Sequence, residues 1–99
     1  MPVVPNHFAQ ALYYQRIADY DNAIAQYQAL VQKYPDSDLA DDGLYFAGIA
    51  AQQLKNCTEA RTYLGLIKTK YPKSNVSKQA SDLDATIKKD LKNKAKCSS

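Results

Sequence analysis

Ninety-nine residues allow one domain around one small hydrophobic core, because a chain this short buries only about two-thirds of its unfolded surface. A 45% hydrophobic fraction with 23% charge is ordinary for a folded soluble protein, and no apolar run approaches the roughly 20 residues that span a bilayer; a two-domain enzyme and a transmembrane protein are both excluded. The net charge of +3 hides a division: residues 1–54 set Arg16 and Lys33 against six aspartates, a balance of −4, whereas residues 55–99 set eleven cations against four carboxylates, a balance of +7.

Three glycines and four prolines are few breakers, which favours helices. In chain order, Phe8, Ala11, Leu12 and Gln15 recur at helical spacing and predict a first helix over about residues 6–18. Asp19-Tyr20-Asp21-Asn22 breaks the pattern and offers caps for a second, over about 21–34, with Ala23, Ile24, Tyr27, Leu30, Val31 and Tyr34 on one stripe. Pro35 ends it. Ser37 or Asp38 caps a third helix over about 38–54, whose apolar positions are Leu44, Tyr45, Ala47, Gly48, Ile49, Ala51 and Leu54. A fourth spans about 57–71 before Pro72, and a fifth about 75–95. The fifth is amphipathic, with Val76, Ala80, Leu83, Ile87 and Leu91 on a narrow stripe and lysines around the rest, as suits a terminal cap.

The chain repeats itself. Lys33-Tyr34-Pro35-Asp36-Ser37 recurs as Lys70-Tyr71-Pro72-Lys73-Ser74, an offset of 37 residues at which Ala23 also aligns with Ala60, Leu30 with Ile67 and Ala11 with Gly48. The expected architecture is therefore all-α: a single domain over 1–99 built from helix-turn-helix repeats at about 5–37 and 38–74 and a C-terminal helix. Small residues at Ala11, Ala23, Gly48 and Ala60 are expected where paired helices cross.

These positions resemble the tetratricopeptide repeat (TPR), with Tyr14 and Tyr27 as its large residues and Pro35 and Pro72 as its closers. The period of 37 exceeds the usual thirty-four or so, Ala51 stands where the family has a tyrosine, and His7 where it has a tryptophan. The longer period with Tyr-Pro-x-Ser at the junction is similar to repeats of bacterial cell-envelope proteins, notably the C-terminal domain of the TolA-binding protein of the Tol-Pal system and the lipoprotein of the beta-barrel assembly machinery. The resemblance implies a periplasmic or cell-envelope setting, the alternative being the cytoplasm. It also implies a groove lined by the first helix of each repeat: Phe8, Leu12, Gln15 and Arg16 beside Tyr45, Ile49, Gln52 and Gln53. An apolar face with an amide rim suits an extended peptide or amphipathic helix of a protein partner. Family members that hold C-terminal carboxylates do so with Lys, Asn and Arg here, and only Arg16 is cationic, so that activity is not carried over.

The remaining candidates point away from catalysis. No nucleophile-base-donor constellation, phosphate loop or metal cluster can be assembled, so no enzyme, cofactor or metal is expected. Asp36, Asp38, Asp41, Asp42 and Gly43 superficially match a calcium loop, but the glycine falls two places late and no Glu closes it, so they read instead as acidic groups at a helix N-terminus. Lys88, Lys89, Lys92, Lys94 and Lys96 form a basic helix face; the alternative function is a module binding nucleic acid or an anionic surface, disfavoured because no aromatics are interleaved. Cys57 and Cys97 admit a disulfide in an oxidising compartment, but a turn before the fourth helix and a point beyond the fifth are expected to lie too far apart, leaving free thiols. No basic start with an apolar stretch and cleavage site is visible, as in a mature protein or an excised domain. Two repeats are few for a helical array, so a homo-oligomer is expected, through Tyr13, Tyr14 and Ile17 on the acidic half and Val76, Leu83, Ile87 and Leu91 on the basic half.

Overall fold

The computed structural model describes residues 4–98 and contains five α-helices in chain order: α1 (Val4–Arg16), α2 (Tyr20–Lys33), α3 (Ala40–Gln53), α4 (Cys57–Lys70) and α5 (Ser77–Asp90). Among the described residues there is no strand. Each helix packs on the next, forming a slab of 45 × 30 × 17 Å whose thin dimension suits two layers of helices with axes about 8–10 Å apart.

The 37-residue period is written into the backbone. Ala18 and Lys55 both adopt φ 61°, a left-handed conformation that reverses the chain after α1 and after α3. One residue later Asp19 and Asn56 cap α2 and α4, their side chains accepting from the backbone N–H groups of Asn22 and Glu59, which stabilises each helix start by about 1 kcal/mol. Tyr34 and Tyr71 end those helices before proline. Ser37 and Ser74 then fold the junction back by accepting from the N–H groups of Leu39 and Val76. Ser37 thus acts one turn ahead of α3, whose first residue is Ala40.

The same period corrects the expected fifth helix. It stops at Asp90, where the expectation placed it at 95: Leu91-Lys92-Asn93 repeats Leu54-Lys55-Asn56 in sequence, but here the turn is closed by Asn93 N–H donating to Asp90 C=O at 2.8 Å, without the left-handed residue that follows α1 and α3. Beyond it, Cys97 N–H donates to Asn93 C=O at 2.9 Å, as Ala60 does to Asn56 and Ala23 to Asp19 at 3.0 Å. Cys97 therefore occupies the buried small position of Ala23 and Ala60. This first turn carries the chain back over the α3–α4 junction, where Ser98 N–H donates to Lys55 C=O at 2.8 Å.

That return overturns the expectation of free thiols: Cys57 and Cys97 form a disulfide, their Cα atoms 5.5 Å apart. The expectation took the chain to run away from the core after the last apolar position, whereas the Leu-Lys-Asn turn reverses it.

The core runs through all five helices, and the small residues Ala11, Ala23, Gly48 and Ala60 are buried within it. A Cβ on Gly48 would stand 2.8 Å from Leu64 Cδ2 and 2.9 Å from its Cγ, too close for a side chain that is itself buried. Gly48→Ala is therefore expected to cost about 1–3 kcal/mol despite the helix propensity alanine adds. Gly65 is the control, since nothing lies within 4 Å of its would-be Cβ; Gly65→Ala is expected to stabilise by about 0.5–1 kcal/mol. Urea denaturation reads both changes, and equal signs would refute the crossing at Gly48.

Helix α5 stands in the register of α3 but is finished differently. Where α3 buries Leu44, Gly48 and Ala51 against α4, α5 carries Ser81, Ala85 and Lys88, all exposed. The opposite side of α5, with Ala80 and Ile87, is buried. Its one polar flank thus makes α5 a cap.

Candidate interaction face

The residues expected to line the groove fall into two groups. Phe8, Leu12, Tyr45 and Ile49 are half-buried on α1 and α3. The Phe8 ring lies 6.0 Å from Tyr27, edge to face, and 5.9 Å from Phe46, which in turn is 5.9 Å from Tyr45. These aromatics root the face in the core. Phe46, stacked on Tyr27 at 6.0 Å, is the hub of the cluster and was absent from the sequence-derived stripe. The signal for it was the 37-residue register, which aligns Phe46 with Leu83 on the side turned to the preceding helix.

The rim is polar. Gln15 accepts the Tyr27 hydroxyl proton at 2.6 Å, so this amide is anchored to the core, and burial pushes the Tyr27 phenol far above its ordinary range. Arg16 and Gln53 are exposed, and Gln52 is half-buried. Gln52 and Gln53 line a cleft of about 450 Å³ with Thr86, Asp90, Lys96 and the buried disulfide, features contributed by α5 and the returning tail that the expected groove did not include. His7 Nδ1 lies 3.0 Å from Gln26 Oε1 and ties the start of α1 to α2.

On the other side of the slab, cross-repeat polar bonds hold the units in register. Gln28 donates to the Tyr63 hydroxyl at 2.6 Å, and Tyr71 donates to Pro35 C=O at 2.6 Å. Burial, then the nearby Glu59 carboxylate, pushes Tyr63 up to about 12. Asp41, part of the acidic cluster, accepts from Ser74 at 2.5 Å, and Asp41 and Asp42 occupy the first turn of α3. Burial and then Asp41 raise the Asp42 carboxyl above its usual range. Arg61 pairs with Asp84 at 2.8 Å between α4 and α5.

The expected self-association residues are divided by the structure. Tyr13 and Ile17 are exposed, while Tyr14 is half-buried against the core and meets Tyr13 edge to face at 5.6 Å. The stripe on α5 is not a free face: Ile87 is 0% exposed and Val76 and Leu83 pack against the chain's own core, leaving only Leu91 exposed at 38%. The five lysines of the basic face are all exposed.

Among curated proteins, none matches the chain. Residues 7–37 and 42–74 each match the tetratricopeptide-repeat model, the two spans coinciding with the helix pairs α1–α2 and α3–α4. With well over half of its length matched and the paired helices crossing at small residues, the chain belongs to the tetratricopeptide-repeat family.

Proposed function

We propose that the chain is a non-catalytic interaction scaffold of a bacterial cell envelope, which receives an apolar segment of a protein partner on the face of α1 and α3 and also associates with copies of itself. Tetratricopeptide repeats generally mediate protein–protein interaction. The observation that carries the reading is the half-buried apolar set Phe8, Leu12, Tyr45 and Ile49 on α1 and α3, with glutamines beside it. An apolar strip gives affinity and the amides give a peptide backbone hydrogen-bond partners. The Cys57–Cys97 bond supports the compartment, since disulfides persist in the periplasm and not in a reducing cytosol. The similarity of the Tyr-Pro-x-Ser junctions to envelope repeats supports the same setting.

The test is crosslinked capture of envelope proteins by the oxidised chain, compared with the double variant Leu12→Ser/Ile49→Ser. Both side chains are half-buried, so the fold is expected to persist, which circular dichroism checks. Loss of specific captured proteins supports the proposal. Identical capture by the variant overturns it, and retention of nucleic acid that falls steeply with salt would favour the lysine face instead.

A further inference from the structure

Ile17, Leu54 and Leu91 are exposed at 54%, 36% and 38%, and with Tyr13 they are the large hydrophobic side chains left exposed among the described residues. They are spaced 37 residues apart, each the residue directly after the end of α1, α3 and α5, so the repeat aligns them along one edge of the slab. The two ends of that edge differ in charge. Beside Ile17 stand Arg16 and the two aspartates Asp19 and Asp21, a balance of −1, whereas beside Leu91 stand Asp90 and the three lysines Lys88, Lys89 and Lys92, a balance of +2.

We infer that this edge is the contact between two copies of the chain, paired antiparallel about a twofold axis near Leu54, so that Ile17 of one copy meets the partner's Leu91. The inference rests on the proposal that copies associate, and it names the surface. Antiparallel pairing sets the acidic end of each copy on the basic end of the other; parallel pairing sets like charges together. Head-to-tail stacking would need the outer face of α5, where the exposed Ser81, Ala85 and Lys88 stand in place of the buried Leu44, Gly48 and Ala51 of α3 and offer no large apolar side chain. A shallow depression of about 330 Å³ beside Leu91, lined also by Thr58, Thr62, Gly65 and the Arg61–Asp84 ion pair, gives the incoming Ile17 room beside Leu91.

Sedimentation equilibrium of the oxidised chain up to about 1 mM, in low and moderate salt, tests this. The expected mass rises to that of a dimer and no further, and the association weakens with salt. Ile17→Ser and Leu91→Ser each weaken it about tenfold without changing the melting temperature. Asp21→Lys and Lys92→Glu each weaken it alone, and mixing the two variants restores the dimer. A monomer at every concentration overturns the self-association proposal and this surface together. A dimer indifferent to all four substitutions, or a mass that grows beyond the dimer, overturns the antiparallel edge while leaving self-association standing.

Discussion

Removal of the Cys57–Cys97 bond is expected to lower the stability of the folded chain by about 3–4 kcal/mol, the loop-closure entropy for a crosslink spanning a sequence separation of 40. For a domain of this size that corresponds to a fall in melting temperature of about 15 °C or more. The double variant Cys57→Ala/Cys97→Ala is the cleanest probe. Both cysteines are almost fully buried, and Cys97 stands where the other repeats have Ala23 and Ala60, so alanine keeps the packing and removes the crosslink. Thermal melts of the oxidised chain, the reduced chain and the variant make the comparison, and intact mass confirms that the oxidised form is lighter by two hydrogens. Helix α5 and the tail are expected to loosen first on reduction, because the bond and the Ser98–Lys55 contact pin the chain end to the α3–α4 turn. Equal melting of oxidised and reduced protein would refute a structural role for the bond.

How far the sequence disclosed this molecule depends on whether the repeat was followed to its end. Alignment of Tyr34-Pro35 with Tyr71-Pro72 located four helices within two residues of their boundaries, because caps, closers and small crossing residues all act locally. The third copy was legible as well, in Leu91-Lys92-Asn93, but amphipathic periodicity continues smoothly through the lysines and masks a turn that only the offset reveals. Missing that turn hid the disulfide, since the pairing of Cys57 with Cys97 depends on a chain reversal and not on spacing. Register alone put Phe8 and Leu12 at the positions of Tyr45 and Ile49, whereas the anchoring of Phe8 and Tyr45 through Phe46 and the cleft closed by the tail belong to tertiary structure. Likewise an apolar stripe states that a face is buried without stating against what, so α5 read equally as a cap and as a contact between molecules.

Three residues at one register position separate those readings energetically. Tyr13, Ala50 and Ile87 are spaced by 37, on the side of α1, α3 and α5 that faces the preceding helix. α3 has α2 before it and α5 has α4, so Ala50 and Ile87 are fully buried; no described helix precedes α1, and Tyr13 is 57% exposed. Ile87→Ala removes methyl groups from the α4–α5 seam and leaves a cavity that the neighbouring Ala80 is too small to fill. The expected cost is about 3–4 kcal/mol. Tyr13→Ala, although it deletes a larger side chain, is expected to cost no more than about 0.5 kcal/mol in the monomer, since little is withdrawn from water there. Urea denaturation at low protein concentration measures both, and hydrogen exchange is expected to show the loss in Ile87→Ala concentrated in α5, the element held from one side. Similar losses for the two variants would mean that α5 does not depend on its seam with α4 and that the cap it forms is not what stabilises the second repeat.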